Sequence, residues 1–411
     1  MKKIVAMLLA LTMVFALCAC GNSAAPAPSA EEDTPAAEQP AAEQPAAEQP
    51  AAIKVGLVCL HDENSTYDLN FINAFKAACE ATGAEALIKT GIPEDSKAYD
   101  AACELADAGC AVVFSDSYGH QDYVLEAAQE YPEVQFTACT GDKANGAGLD
   151  NYHNAFASIF EGRYLAGVAA GMKLQEMIDN GDFTAEEAKV GYVGAMSYAE
   201  VKSGYTAWFL GIRSIVPTVT MEVLFTGSWY DETLEQEGAE KLIQNGCKLI
   251  SQHADSWGAP NACEKAGVPN VSYNGSTIAN CPNTFIVSSR IDWTPYFTMA
   301  IEAVKAGESF DTDWCGTIET GSVVLTEVNE AVAAAGTAEK LEEVKAQLLD
   351  GSLKVFDCTK WTVNGENLDS YTGAWGLDGA EAIVDGVFAE STIRSAPYFD
   401  IDVDGIVLLA Q

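Results

Sequence analysis

Basic residues and histidines are scarce in this sequence. The chain carries 22 lysines and arginines against 60 aspartates and glutamates, and its formal net charge at pH 7 is −38. Such a charge argues against nucleic acid and anionic membrane surfaces as partners, because both are negatively charged themselves. The 4 histidines lie far apart along the chain. The sequence therefore predicts no metal site and no cofactor.

The cysteines do not have the spacing of metal ligands. Of the 12 in the chain, Cys18 and Cys20 lie near the N-terminus, and none of the others forms a CxxC pair. Most of the others fall in apolar runs or in helical patterns, which predicts small buried side chains with free thiols. A disulfide among Cys281, Cys315 and Cys358 is an open alternative, because pairing cannot be deduced from sequence.

Signatures of hydrolytic catalysis are also missing. There is no G-x-S-x-G motif, and HDENSTYD (61–68) stands where a nucleoside hydrolase would have the D-x-D cluster of its calcium site. His253 and Asp255 are two residues apart at a predicted strand end, so in an extended chain both point the same way. A hydrolytic dyad would also need a nucleophile or an activated water. We therefore predict that the protein is not an enzyme and has no catalytic residues.

One long apolar run is present, at the N-terminus. Lys2 and Lys3 precede the apolar stretch 4–17, which is too short for a mature membrane span and ends in LCACG (17–21). This ending resembles a bacterial lipobox, which predicts a signal peptide at 1–19 and lipidation of Cys20. The alternative is an ordinary secretory peptide cleaved near Ala19. No other stretch approaches the length of a membrane span.

A spacer follows the predicted lipid anchor. Residues 20–52 are dominated by Ala, Pro, Glu and Gln, and AAEQP occurs three times within 36–50. Such a segment has little to bury, so we predict an extended, disordered linker rather than a repeat fold.

From Ile53 onwards, short β-rich runs alternate with amphipathic stretches. The first set of runs is IKVGLVCL (53–60), AEALIKTG (84–91), CAVVFSDS (110–117) and QFTACTG (135–141), followed by a predicted long helix near 154–178. The rhythm restarts with KVGYVGAM (189–196), TMEVLFTG (220–227), CKLISQHA (247–254), NVSYNGS (270–276) and TFIVSSRI (284–291).

Strand–helix alternation with short links indicates parallel sheets with right-handed crossovers, so we predict an α/β protein with two doubly wound lobes. The N-terminal lobe is predicted at 53–155, completed by part of 288–325. The C-terminal lobe is predicted at 156–287, completed by part of 326–411. A ligand would bind in the cleft between them, beyond the carboxyl ends of the strands.

The loops after these strands are rich in polar and aromatic residues. Carboxylates, amides and hydroxyls recur there, together with the rings of Tyr67, Tyr118, Tyr198, Trp229, Trp257 and Trp293. A flat ligand that stacks on rings and is held by acids would account for this pattern. For the rings the alternative is packing against the core or between lobes. For Asp255 the alternative is a helix N-cap.

Four segments resemble the basic membrane protein family of solute-binding lipoproteins, the purine-nucleoside-receptor type that serves ABC importers. They are SDSYGHQD (115–122), GSWYDETLEQEGAEKLIQNG (227–246), LISQHADSWGAP (249–260) and IDWTPYF (291–297). The resemblance covers nearly all of 53–360. It implies a type I periplasmic-binding-protein fold with two lobes that close on a purine nucleoside or base.

The resemblance also implies ligand-binding positions, of which Tyr67, Ser117, Tyr118, Gly119, Trp229, Asp231, Asp255 and Trp293 fall on matching motif positions. Three positions depart from the family pattern. Asp68 stands where Asn is usual, Gly204 where nucleoside-binding members carry a stacking Phe, and Asn274 where an Asp is common. With Asp68, Trp257 and Asn274 added, these residues form the predicted ligand site.

The function implied is that of an extracytoplasmic solute-binding lipoprotein, held at the cell membrane by its lipid. Its expected partners are a small solute and the permease and ATPase subunits of an ABC importer, and we expect a monomer. Two alternatives are a surface lipoprotein that senses a ligand without transport and an enzyme that processes nucleosides.

Overall fold

The computed structural model of the chain describes residues 52–410. The predicted signal peptide, Cys20 and nearly all of the predicted linker lie outside the described residues, so those predictions stay untested. The described residues belong to one compact unit. Among them, no helix is long and apolar enough to cross a membrane.

Strands and helices alternate through most of this unit. The strands are β1 (Lys54–Val58), β2 (Glu85–Lys89), β3 (Cys110–Ser115), β4 (Gln135–Cys139), β5 (Tyr152–Ala157), β6 (Lys189–Gly194), β7 (Thr220–Phe225), β8 (Ile250–His253), β9 (Asn270–Tyr273), β10 (Phe285–Ile291), β11 (Asp313–Gly316), β12 (Val323–Leu325), β13 (Ile383–Val384), β14 (Val387–Phe388) and β15 (Ile406–Leu408). The helices are α1 (Thr66–Thr82), α2 (Ser96–Asp107), α3 (Gln121–Glu130), α4 (Ala144–Ala147), α5 (Ile159–Asp179), α6 (Ala199–Arg213), α7 (Glu232–Gln244), α8 (Gly258–Ala266), α9 (Thr294–Ala306) and α10 (Thr337–Leu349).

The first sheet is parallel throughout and has the strand order β11-β5-β4-β3-β1-β2. Side chains of β1 alternate between its two faces. Val55 and Leu57 join the core that contains Phe75 of α1, whereas Val58 joins a separate core with Leu105 of α2. Full burial of such an apolar side chain contributes about 1.5–3 kcal/mol. Both faces of the sheet are therefore covered by helices, as expected for a parallel sheet.

The second sheet has the order β12-β10-β9-β8-β6-β7-β15, and only β10 and β12 pair antiparallel. Among the described residues the chain passes between the sheets three times, after β5, after β10 and after β11. We call each sheet with its helices a lobe. The predicted residue limits of the lobes stay predictions.

Helices α5 and α6 cover one face of the second sheet and pack against each other at very short range. A Cβ on Gly167 would collide with the backbone carbonyl of Trp208, and one on Gly211 with that of Tyr164. The small residues in GRYLAGVAAG (162–171) thus permit the close packing expected of them.

The start of the long helix differs from the sequence prediction. Residues 154–157 form the end of β5, and α5 begins only at Ile159. Because β5 lies between β4 and β11 with all of its side chains buried, it lacks the alternation that identifies a half-buried strand. The described cysteines are free thiols and most of them are buried, as predicted, so the alternative of a disulfide among Cys281, Cys315 and Cys358 is wrong.

Candidate ligand-binding site

A cavity of about 550 Å³ lies between the two lobes, at the carboxyl ends of their strands. This volume is within the roughly 300–1,000 Å³ that is typical of small-molecule sites. Loops after β1, β3, β4, β6, β7, β8, β9 and β10 contribute to it, and so does a stretch near the C-terminus.

Seven of the eleven residues predicted for the ligand site line this cavity. They are Tyr67, Ser117, Tyr118, Trp229, Asp255, Asn274 and Trp293. The structure therefore brings together loops that are separated by more than two hundred residues in sequence, as the prediction of a cleft requires.

The other four predicted residues lie outside the cavity lining, and each has a local role. Asp68 is buried and accepts a hydrogen bond from the backbone N–H of His61 at 2.7 Å. The N–H of Gly119 donates to Oε1 of Glu94. Asp231 caps α7, and Trp257 is the residue before α8. We do not include these four in the proposed site.

Aromatic rings from both lobes meet at the cavity. Tyr118 of the first lobe lies 5.9 Å from Tyr198 of the second, between ring centroids, and Tyr198 lies 5.9 Å from Trp229. Trp293 is stacked on Phe71 at 4.4 Å, which fixes the orientation of its indole. Flat apolar faces are thus available to a planar solute.

Asp255 presents a carboxylate to the cavity that has no hydrogen-bond partner among residues 52–410. The residue is only 6% exposed. Burial, and then the nearby charges of Asp68, Glu235 and Glu200, raise the pKa of Asp255 well above its ordinary value. A buried acid without a partner is costly, so a solute that donates hydrogen bonds to it would be favoured.

The helix-cap alternative for Asp255 does not fit the structure. Helix α8 begins at Gly258 and its N-cap is Trp257. The N–H of Gly258 donates to Oγ of Ser256 at 3.0 Å, so Ser256 supplies the local hydrogen bond. The backbone carbonyl of Asp255 instead accepts the N–H of Thr66 from the first lobe at 3.0 Å.

His253 is paired with Glu200 and not with Asp255. Its Nε2 lies 2.7 Å from Oε1 of Glu200, and its Nδ1 lies 3.1 Å from the hydroxyl of Tyr192. That hydroxyl accepts a hydrogen bond from Arg163 at 2.8 Å, so it can donate to Nδ1. We therefore assign the ring proton to Nε2, from which it is donated to Glu200. No hydrolytic His-Asp dyad is formed by the residues at this strand end.

Arg163 anchors this network from inside the second lobe. It is fully buried, and its guanidinium lies 5.4 Å from the ring centroid of Tyr192 and 4.8 Å from that of Tyr273. Gly204 leaves room for the histidine, since a Cβ there would lie 3.0 Å from Nδ1 of His253. The imidazole thus lies against Gly204, the position at which the family resemblance implies a stacking Phe.

Several residues in the cavity lining were absent from the predicted site. They are Leu60, Thr140, Asp142, Phe156, Ser197, Tyr198, Ala199, Glu200, Lys202, His253, Tyr273, Ile291, Trp375, Arg394, Ala396, Pro397 and Asp400. Tyr198 and Glu200 follow the first strand of the second set, so their position at a strand end could have identified them. The residues from 375 onwards follow no predicted strand, and no sequence signal identified them.

The charged groups around the cavity are mostly acidic. Four carboxylates line it, with two cations, Lys202 and Arg394. Lys202 pairs with Asp402 at 2.5 Å, and Arg394 with Asp142 at 3.2 Å. Even with Asp255 protonated, carboxylates outnumber cations, so this lining disfavours anionic solutes.

Three buried residues could together offer ligand atoms to a metal ion, and two of them are acids. Cys59, Asp68 and Asp116 each place one ligand atom within 4.8 Å of the others. Burial, and then Asp68, raise the pKa of Asp116 well above its ordinary value. Burial acts against ionisation of Asp68 too, but hydrogen bonds from His61 and Ser65 lower its pKa overall. These shifts fit a protonated Asp116 beside an ionised Asp68, so we assign no metal to the group.

Several known proteins that are similar to this chain are named as solute-binding proteins. The chain is 30% identical to the "Putative ABC transporter glucose-binding protein TsgA13" of Haloferax volcanii over 60% of this chain and 59% of that protein. It is 28% identical to the "Purine-binding protein BAB2_0673" of Brucella abortus over 78% of this chain and 89% of that protein. An ABC-transporter solute-binding protein from Conexibacter woesei has a similar solved structure, with a TM-score of 0.61, 23% identity and coverage of 74% and 98%.

These similarities confirm the predicted two-lobed α/β architecture as the type I periplasmic-binding-protein fold. The family model and the solved structures from Conexibacter woesei and Aeropyrum pernix are named as solute-binding or substrate-binding proteins and not as enzymes. The sequence model described as "ABC transporter substrate-binding protein PnrA-like" matches residues 59–353. The chain belongs to this family of ABC-transporter substrate-binding proteins.

Proposed function

We propose that the protein captures a purine nucleoside or purine base outside the cytoplasm and delivers it to the permease of an ABC importer. The solute would bind in the cavity between the lobes, with its ring against the aromatic side chains and its hydroxyl or N–H groups on the acids.

The observation that carries this proposal is the unpaired carboxylate of Asp255 in an aromatic-lined cavity. Asp255 is 6% exposed and faces the same cavity as Tyr67 and Trp229. A carboxylate can accept two hydrogen bonds, which suits vicinal ribose hydroxyls or ring N–H groups. The acidic lining favours a neutral solute over an anionic one, so a nucleoside or base fits better than a nucleotide.

The purine-binding relative from Brucella abortus supports the same solute class, at 28% identity over 89% of its length. A neutral sugar is the second candidate, because the relative from Haloferax volcanii is named as a putative glucose-binding protein. Sugars also bind against aromatic faces and donate hydroxyl groups to acids. The two candidate solutes differ in their ring, which is planar and aromatic in a purine and saturated in a sugar.

Calorimetric titration tests the proposal directly. The purified protein would be titrated with adenosine, inosine, guanosine, hypoxanthine and glucose under one set of conditions. We expect saturable binding of at least one purine and no heat from glucose. Saturable binding of glucose with no purine binding would replace the proposal by the sugar alternative.

Membrane attachment through Cys20 is also part of the proposal, and it rests on the sequence LCACG (17–21). Cys20→Ala should prevent lipid attachment, so the variant should leave the membrane fraction or stay unprocessed. A variant that fractionates with membranes in the same processed form as the wild type would contradict the anchor.

A further inference from the structure

The chain beyond the family match crosses the cleft between the lobes. The match ends at residue 353, and the following residues form only the short strands β13, β14 and β15. An aromatic cluster holds this stretch together, with Phe356 stacked on Phe399 at 4.3 Å and Phe388 at 4.8 Å from Phe399. We call residues 371–400 the strap.

The strap is attached to the second lobe at both of its ends. Before it, Phe356 stacks on Phe160 of α5 at 5.3 Å. After it, Asp402 pairs with Lys202 of α6 at 2.5 Å, and β15 pairs with β7 at the edge of the second sheet. The strap therefore belongs to the second lobe.

The strap nevertheless contacts the first lobe through residues near its C-terminal end. Nη1 of Arg394 lies 3.2 Å from Oδ2 of Asp142, which follows β4. Their side chains are only 10% and 11% exposed, so water screens this ion pair less than it screens a surface pair. The N–H of Ser395 donates to Oδ2 of Asp313 in β11 at 3.0 Å. These contacts join the two lobes across the cavity.

The strap also forms part of the cavity itself. Trp375, Arg394 and Asp400 all line it, together with Ala396 and Pro397. The side chain of Asp400 accepts the backbone N–H of Trp375 at 3.1 Å and the hydroxyl of Tyr371 at 2.8 Å, which fixes the turn that carries the indole. Trp375 is 64% exposed, unusual for a tryptophan in the absence of a partner.

Arg394 has hydrogen-bonding capacity left for a solute. Its guanidinium donates to Asp142, to the carbonyl of Ala396 at 3.2 Å and to the carbonyl of Pro397 at 3.3 Å. These bonds use three of the five N–H groups of a guanidinium. Two N–H groups therefore have no partner among residues 52–410, on a side chain that lines the cavity.

We propose that the strap completes the solute site and that Arg394 and Trp375 are specificity-determining residues that contact the solute. The strap would select a neutral planar solute with a hydrogen-bond acceptor, such as a purine carbonyl or ring nitrogen, at the end that faces Arg394. The ion pair of Arg394 with Asp142 would have to open whenever a solute enters or leaves. The identity of the solute in this inference rests on the proposed function. The closure of the cleft by the strap does not depend on it.

The test compares Arg394→Gln, Asp142→Asn, the double variant and Trp375→Ala with the wild type. Lys143→Gln is the matched control. Lys143 is the residue next to Asp142, and its ammonium group pairs with Asp122 on the surface, so the substitution also removes one paired cation. Stopped-flow fluorescence would give the dissociation rate of each purine probe that the wild type binds. Hydrogen exchange of the strap would be followed without solute.

We expect Arg394→Gln to weaken binding about tenfold or more and to speed dissociation, while Lys143→Gln leaves both unchanged. Trp375→Ala should weaken binding as well. The double variant should resemble Arg394→Gln alone, since the two residues form one ion pair. Arg394→Lys, which keeps the charge but has fewer donors, should lie between Arg394→Gln and the wild type. Melting of each variant without solute shows whether the fold is intact.

Unchanged affinity and dissociation in Arg394→Gln and Trp375→Ala would overturn the proposal even if a purine binds the wild type. If no purine binds the wild type, the proposed function fails, and hydrogen exchange then decides whether the strap closes the cleft. Faster exchange of strap amides in Arg394→Gln than in Lys143→Gln would support closure. Equal exchange in the two variants would overturn it.

Discussion

Nε2 of His253 lies 2.7 Å from Oε1 of Glu200, although the two residues are 53 positions apart. This hydrogen bond keeps the imidazole away from Asp255, its neighbour at the same strand end. The result is one acid whose orientation is fixed and one that is free to bind a solute. Glu200 and Asp255 follow β6 and β8, two strands that pair with each other as neighbours in the second sheet.

Removal of the Asp255 carboxylate should affect binding and not folding. Hydrogen bonds donated by the solute favour the ionised form of Asp255. Hydrogen bonds to charged groups contribute about 1.5–3 kcal/mol, so Asp255→Ala should weaken solute binding about tenfold to a hundredfold. Asp231→Ala is the control, because Asp231 caps α7 by accepting the N–H of Leu234 at 2.9 Å. The control should lose roughly 1 kcal/mol of stability and keep its affinity. Titration beside melting curves checks both, and the reverse pattern would refute this role.

The same substitution should change how stability depends on pH. Because the pKa of Asp255 is raised above its unfolded value by burial, the stability linked to its protonated form is lost as pH rises through the folded pKa. Asp255→Asn removes this ionisation. The variant should therefore gain stability relative to the solute-free wild type as pH rises above the ordinary pKa of an aspartate, about 3.9, and parallel curves of melting temperature against pH would contradict this.

Glu200→Gln should weaken binding without disturbing His253. The amide oxygen of Gln can still accept the Nε2–H, so the geometry is kept while the charge is lost. A neutral hydrogen bond is worth about 0.5–1.5 kcal/mol against 1.5–3 for a charged one, so we expect a loss of about tenfold. Glu237→Gln, at an exposed position of α7, is the control for the change of charge. Titration of both variants with the same solute decides, and equal affinities would exclude Glu200 from the site.

The acid pair of Asp68 and Asp116 should give the protein a limited pH range of greatest stability. The lowered pKa of Asp68 contributes stability that is lost as pH falls through its folded pKa. The raised pKa of Asp116 contributes stability that is lost as pH rises through its folded pKa. Asp116→Asn should therefore abolish much of the stability loss that accompanies rising pH, and leave the loss at low pH. Melting temperatures across the pH range test this, with the exposed Asp122→Asn as a control that should follow the wild type.

A nucleotide should bind much more weakly than its nucleoside. The cavity lining has more carboxylates than cations, and both of its cations are already paired. A phosphate group would meet repulsion from these acids in a partly desolvated site, so adenosine monophosphate should bind at least about tenfold more weakly than adenosine. Competition titration measures the ratio, and equal affinities would show that the acids do not face the solute.

The sequence predicted the parts of the site that follow regular strands. Asp255 and Trp229 come directly after β8 and β7, and the carboxyl ends of parallel strands meet at one edge of a sheet. Strand alternation therefore located them without any knowledge of their contacts. The family resemblance placed Asp231 in the site, and its position at a strand end placed Trp257 there. Asp231 instead caps α7, Trp257 precedes α8, and neither lines the cavity.

The remaining contributors depend on contacts that local sequence does not encode. Arg394 reaches Asp142 across 252 positions of chain, and the strap that carries it has no helical or strand period. Strand β5 was missed for a related reason, since every residue from Tyr152 to Ala157 is buried and no alternation marks it. Tertiary packing decides both features, so only the folded structure could reveal them.

The central claim is that the cavity holds a purine nucleoside or base. The most direct measurement is mass spectrometry of the small molecule that is released when the protein, purified without added solute from cells of its own source, is denatured. We predict a purine nucleoside or base at close to one molecule per chain, and its absence from protein that carries Asp255→Ala. A hexose released in the same amount, with no purine, would contradict the account.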